Sequence, residues 1–143
     1  MSDKLKDFKA EIWKRFKDYP HIFLGTQEDD QPRIRPVTLV DFNQKLWILT
    51  GTHSTKVRQL RENPKVEFCL LFNEGTHYGY IRATASAKII TDKETKTRVA
   101  EQCDFFSNHW KSFDDPSYTL LELQLNEIEY LRPKESAVKK FKL

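Results

Sequence analysis

Glycine is scarce in this chain, four residues in 143, and cysteine is scarcer still at two. So few glycines leave no Gly-x-Gly-x-x-Gly turn and no Walker loop, and no serine stands in a Gly-x-Ser-x-Gly elbow. Kinase and serine-hydrolase readings therefore fail for lack of parts. Cys69 falls in an apolar strand pattern and Cys103 in a helical one, without short spacing between them, so both read as buried free thiols rather than a disulfide or redox pair. His21, His53, His77 and His109 are scattered and show none of the spacings of metal ligands, and no metal site is expected. No apolar run reaches membrane length, and the charge-rich stretch from Met1 to Lys17 lacks a signal-peptide core. The protein is accordingly read as cytoplasmic with no membrane partner. A formal charge of +3 without a dense basic stripe suits an anionic small molecule better than a nucleic acid.

What is present describes one globular domain spanning 1–143, long enough to bury a core without metal or disulfide support. Leu5, Phe8, Ile12, Trp13 and Phe16 recur at helical spacing, predicting an amphipathic helix from about Ser2 to Asp18 that ends at Tyr19-Pro20. A short strand over His21 to Thr26 is closed by the polar turn Glu28 to Pro32, and a second strand is expected from Arg33 to Phe42. Asn43-Gln44 then makes a hairpin turn into Lys45 to Thr50. Thr55 to Asn63 reads as a helix with Ser54 as N-cap and Pro64 as stop. Strands are expected over Lys65 to Phe72 and His77 to Thr91, joined by Asn73 to Thr76. A helix capped by Asp92 follows over Lys93 to Asn108, with Val99, Cys103 and Phe106 as its apolar stripe. A last strand runs over Thr119 to Tyr130, where Leu121, Leu123 and Leu125 alternate with polar residues. About six strands in hairpin-like succession with three helices predict a mainly β fold, a small antiparallel barrel with helices on its outside.

One stretch departs from local rules. Arg33 and Arg35 share a side of their strand, and Pro36 inside that strand marks an edge or a bulge. Lys56 and Arg58 sit in the first turn of a helix whose amides already carry partial positive charge, where acids are the ordinary choice. An anion that receives Arg35, Lys56 and the helix N-terminus repairs the mismatch, and Thr50, Ser54 and Thr55 add donors of the kind that phosphate oxygens accept. A phosphorylated ligand is the expectation, beside the alternative of an ordinary serine cap and a surface lysine. Two aromatic groups stand apart. Tyr78-Gly79-Tyr80-Ile81-Arg82 partly matches the strand that stacks bases in RNA-recognition modules, but aromatics on strands are more often packing. Trp110, with Phe105, Phe106 and Phe113, reads either as core or dimer face, or as a cover for a flat ring at a subunit boundary.

Gln31-Pro32 before Arg35, the strand Arg35-Pro36-Val37-Thr38, the pair Leu49-Thr50, Ser54-x-Lys56 and the helix exit Asn63-Pro64 together resemble the pyridoxamine 5′-phosphate oxidase superfamily of FMN-binding split β-barrels, most closely its general-stress-protein branch. The resemblance covers nearly the whole chain. It implies FMN at the interface of a homodimer, with Arg35 and Lys56 on the phosphate, help from Thr50 and Thr55, and Pro36, Val37, Thr38 and Leu49 along the flavin ring. Where the oxidases carry a second basic residue this chain has Thr55, so the expectation is either weaker phosphate binding or a phosphate that leans on Ser54. A glutamine that reaches the flavin from the partner subunit aligns with Tyr80, and the substrate pocket is expected between subunits near Tyr80 and Trp110. The stretch 131–143 has no histidine, so vitamin B6 oxidase activity is not carried over. The reading is an FMN-binding oxidoreductase-like protein performing two-electron chemistry on an undetermined small-molecule substrate, no catalytic side chain standing out. Its alternatives are a non-catalytic flavin-binding or sensor protein, a haem or deazaflavin split barrel, and an RNA-binding module.

Overall fold

The computed structural model describes the chain from residue 3 onward, with side chains from residue 6. A helix start at Ser2 and the side chain of Leu5 lie outside the described residues. The first helix, α1 (Asp3–Arg15), is shorter at its far end than its periodicity predicts. Asp18 and Tyr19 have φ of 66° and 54°, a left-handed conformation that no helix continues through. Eight strands follow: β1 (His21–Glu28), β2 (Gln31–Thr38), β3 (Val40–Phe42), β4 (Lys45–Gly51), β5 (Lys65–Glu74), β6 (His77–Ile90), β7 (Tyr118–Leu131) and β8 (Lys139–Lys142). Between them lie α2 (Thr55–Glu62) and α3 (Lys93–Glu101). All strand pairs are antiparallel, in the order β2-β1-β5-β6-β7-β4-β3, with β8 added on β7.

The strand expected from Arg33 to Phe42 is two strands, and the break is what makes the sheet a barrel. β2 and β3 are the opposite edges of the seven-strand order, yet a single residue, Leu39, separates them in the chain. One residue spans only about 3.5 Å, so the sheet must curl until its two edges meet. Leu39 is fully buried at that seam, its amide donating to the Pro20 carbonyl at 2.9 Å. The result is a curled antiparallel half-barrel, a split barrel. Pro36 lies on the edge strand β2, where its missing N–H costs no ladder bond to a further strand.

The interior is filled by Ile22 and Leu24 of β1, Leu46 and Ile48 of β4, Phe68 and Leu70 of β5, Ile81 and Ala83 of β6, and Leu121 and Ile128 of β7. The Leu121-Leu123-Leu125 alternation changes parity beyond Asn126, where Thr84 pairs with Glu127 but Ala85 with Leu125. This bulge is why Ile128 and Tyr130, on even positions, also face the core. α1 closes one end with Phe8, Ile12 and Phe16, and the Trp13 indole donates to Asp41 at 3.2 Å. Glu11 clasps the helix to β7: Arg132 donates to its carboxylate at 2.8 and 3.0 Å, and the Tyr130 hydroxyl also donates to it.

The helix expected over Lys93 to Asn108 stops at Glu101. A 3₁₀ turn (Phe106–Asn108) follows after a break, so Cys103 and Phe106 belong to a second small core rather than to one helical stripe. That core packs Val40, Trp47, Val99, Phe106, Tyr118 and Leu120 on the outer side of β3, β4 and β7. It also explains the uninterrupted burial from Tyr118 to Leu121, because the start of β7 is covered on both faces. β8 has no counterpart in the expected elements, since four residues rich in lysine carry no strand pattern. Both cysteines are free thiols. Among the described residues, no helix is long and apolar enough to cross a membrane, and no cluster of metal-ligating side chains occurs.

Two predictions test this packing. A Cβ on Gly79 would stand 2.5 Å from the Leu131 carbonyl oxygen and 2.6 Å from the Phe72 ring. Gly79→Ala is therefore expected to cost about 1–3 kcal/mol in a denaturant titration. Hydrogen bonds from Arg132 and, less strongly, Tyr130 outweigh burial and hold the Glu11 carboxyl below the usual carboxylate range. Its contribution to stability is thus complete above the ordinary glutamate value of about 4.3 and is lost as pH falls through the lowered value. Glu11→Gln should flatten that acid limb and lower stability at neutral pH by about 0.5–1 kcal/mol, the half-exposed setting keeping the effect small. Paired pH–melting curves check it.

Candidate functional site

β2, β4 and the start of α2 enclose an open pocket of about 260 Å³. Val37, Thr38, Ile48 and Leu49 line it from the strands, Thr50, Gly51 and Lys56 from the end of β4 and the start of α2, and Phe105, His109 and Trp110 from the segment after α3. Only Lys56 and His109 among these carry a titratable group. One side of the pocket is built by the loop from β4 into α2. Ser54 caps α2, accepting from the Val57 amide at 3.4 Å, and its own amide donates to the Gly51 carbonyl at 3.1 Å. The amides of Thr55 and Lys56 precede the first intrahelical bond and point out of the helix end.

The aromatic end is tied to that loop through one acceptor. The Ser117 carbonyl receives both the Thr52 amide, at 2.8 Å, and the Trp110 indole N–H, at 3.1 Å. Thr52 Oγ1 also bonds to the Pro116 carbonyl and to Thr119 Oγ1, each at 2.8 Å. The loop before α2 and the aromatic segment are therefore held in fixed relation although Thr52 and Trp110 are far apart in sequence. Trp110 is buried in the second core against Phe106 and Tyr118, its remaining exposure forming part of the pocket edge.

Arg35 and Lys56 carry the electrostatics. Lys56 is half-buried and donates to the buried Thr50 hydroxyl at 2.6 Å. Arg35 donates to the Leu24 carbonyl at 3.2 Å and to Gln59 Oε1 at 2.9 Å. Both acceptors are neutral, and among the described residues neither cation has a carboxylate partner: Glu28 pairs with Arg33 and Arg58 instead. Burial lowers the Lys56 pKa from its ordinary value, and the nearby Arg35 charge lowers it further. Burial, then Arg33, lowers that of Arg35. Two like charges near the α2 N-terminus are partly stripped of water and make no direct contact with a carboxylate. That is a costly arrangement by itself and a receptive one for an anion.

The structure brings Val37, Thr38, Leu49, Thr50 and Lys56 into one wall. Arg35 stands just outside that lining, near enough to perturb Lys56. Ser54 acts as the cap, and Thr55 is exposed beside it at the helix start. Pro36 is exposed on the edge strand and does not line the pocket. Tyr80 lies elsewhere in the chain, on the outer face of β6, its hydroxyl donating to Glu129 at 2.7 Å. Glu67 and Glu129 flank that face, paired with Arg82 and Lys140. Sequence reasoning missed Ile48, Gly51, Phe105 and His109 as pocket residues and Gln59 as the partner of Arg35. Phe105 and His109 had a signal in their proximity to Trp110, and Gln59 had one as a polar residue between the buried Val57 and Leu60 of a short helix.

Residues 8–132 match the family model for pyridoxamine 5′-phosphate oxidase. No curated protein matches the chain in sequence. Among solved structures, a NimC/NimA family protein from Clostridium acetobutylicum superposes with a TM-score of 0.79 at 24% identity, covering 94% of this chain and 91% of that one. General Stress Protein 26 from Bacillus anthracis gives 0.77 at 20% identity over 95% and 98% of the two chains. A FAD-binding protein from Mesorhizobium loti gives 0.72 at 14% identity over 89% and 94%. At these identities the likeness is one of fold.

Proposed function

The chain belongs to the pyridoxamine 5′-phosphate oxidase family, and from that premise we propose that its pocket holds FMN and that the protein is a flavin-dependent oxidoreductase acting on a small molecule. The observation that carries the reading is the pair Arg35 and Lys56, neither in contact with a carboxylate, beside the α2 N-terminus and a pocket of mixed polar and apolar lining. A phosphate would supply the missing negative charge, and Val37, Thr38, Leu49 and Trp110 would line the flat ring. FMN, when bound, supplies two-electron redox chemistry. The chain's own part is to neutralise the phosphate with Arg35 and Lys56, orient the ring against the β2 and β4 walls, and exclude water with Ile48, Phe105 and Trp110. The FAD-binding fold relative is consistent with a flavin. Vitamin B6 oxidase activity is not part of the proposal.

A homodimer completes the site in this reading. About 260 Å³ is below the range usual for a pocket enclosing a cofactor-sized ligand, so one chain supplies part of the enclosure. The outer sheet face supplies the means. Phe23, Ile34 and Leu71 stand 46%, 72% and 52% exposed around Cys69, beside oppositely charged Glu67 and Arg82. An apolar centre with both charges on its rim is self-complementary, as a two-fold interface requires. Tyr80, on this face, is placed to be contributed across such an interface.

Purified protein is expected to be yellow or to become so with FMN, releasing FMN on denaturation; a colourless protein that takes up none overturns the reading. Lys56→Ala should weaken FMN binding by roughly 1.5–3 kcal/mol, about one to two decades in Kd, in a fluorescence titration. For the dimer, Leu71→Glu should convert a two-chain species into a monomer by light scattering and loosen FMN with it. Wild-type protein that is monomeric while saturated with FMN would contradict the shared site.

A further inference from the structure

We propose that Gln59 is the positioning residue of the anion site: an uncharged spacer that aims Arg35 while keeping Glu28 from neutralising it. The inference rests on the reading of Arg35 and Lys56 as a phosphate site and deepens it by naming what sets the charge of that site.

Gln59 sits on α2, one turn beyond Lys56, and is 2% exposed. Its Oε1 accepts from Arg35 at 2.9 Å and from the Thr26 hydroxyl at 2.5 Å, and its Nε2 donates to Glu28 Oε2 at 2.5 Å. The orientation of the amide is fixed by its partners. A guanidinium only donates and an ionised carboxylate only accepts, so the oxygen must face Arg35 and the nitrogen must face Glu28. Thr26 and Glu28 come from β1, Arg35 from β2 and Gln59 from α2. One buried side chain thus joins all three elements behind the pocket.

Chemistry narrows the choice at this position to an amide. A glutamate could not donate to Glu28. It would face a second carboxylate on one side and, on the other, would lie within ion-pair distance of Arg35 and consume its charge internally. An apolar residue would leave Arg35 without its anchor and Glu28 without a donor. With glutamine, Arg35 is held through two of its five N–H groups, to Gln59 and Leu24, both neutral acceptors. Glu28 is meanwhile occupied by Gln59, by Arg58 at 3.5 Å and by Arg33 at 3.9 Å. The full positive charge of Arg35 stays beside Lys56, which feels it.

The test compares FMN with riboflavin, which has the same ring and no phosphate, on the full chain and on Gln59→Glu and Gln59→Met, with circular dichroism confirming the fold. Wild-type protein should prefer FMN. Gln59→Glu should lose about ten- to a hundredfold in FMN affinity, the size of a lost charge-assisted contact, while riboflavin affinity stays within about threefold, so that the preference for phosphate collapses. Gln59→Met, which removes the anchor without adding a charge, should fall between them. Equal losses for both flavins would reduce Gln59 to a structural amide, and an unchanged FMN preference in Gln59→Glu would show that the Arg35 charge is not used; either result overturns the proposal. If wild-type protein binds neither flavin, the cofactor reading fails separately, and thermal stabilisation by inorganic pyrophosphate becomes the measure. A response in wild type that Gln59→Glu lacks supports the spacer role, and equal responses, or none in either, overturn it. Should Gln59→Glu not fold, Gln59→Met decides by the same ratio of FMN to riboflavin affinity.

Discussion

The requirement that a seven-strand sheet bring its two edges together within one residue governs the rest of this structure. β2 and β3 are consecutive in the chain and outermost in the sheet, and Leu39 alone connects them. Curling satisfies that connection and simultaneously lays β2 against β4. The pocket is a product of this closure, since Val37 and Thr38 come from one edge strand and Ile48, Leu49 and Thr50 from the strand next to the other. A flat sheet of the same strands would hold these residues at opposite ends.

The second governing feature is charge left unmatched. Other ionic groups of the described residues are paired, Glu28 near the site with Arg33 and Arg58, and further off Glu129 with Arg82 and Lys140 and Glu11 with Arg132. Arg35 and Lys56 are held instead by a backbone carbonyl, an amide and a hydroxyl. Neutral acceptors fix a cation in place without cancelling it, so its geometry is set while its charge stays available, an arrangement that costs stability by itself.

Much of the architecture was legible in the residues. Asn43-Gln44 marked its hairpin, and both residues adopt the positive φ, 56° and 60°, that such a two-residue turn demands. Ser54 and Asp92 marked helix starts and do cap α2 and α3. Pro36 marked an edge. What was not legible has physical causes. The run Arg33 to Phe42 gives no local sign of its break, because Leu39 is as apolar as a strand interior and turns for a tertiary reason. The parity change at Asn126 is likewise invisible until β6 is paired with β7. α3 ends early because Cys103 and Phe106 are claimed by packing against Trp110 and Tyr118, which overrides their helical spacing.

The same division holds for the site. By itself the sequence determined that basic residues stand where an acid belongs at the start of α2, that hydroxyls accompany them, and that Val37, Thr38, Leu49 and Thr50 lie on strands, because these follow from local periodicity and capping. Only the tertiary structure decided that Arg35 reaches the neighbourhood of Lys56, that Ser117 ties Trp110 to the loop before α2, and that a buried glutamine stands between Arg35 and Glu28. Those are relations among β1, β2, α2 and the segment before β7, and a sequence pattern carries no term for a contact that exists only once the sheet has curled.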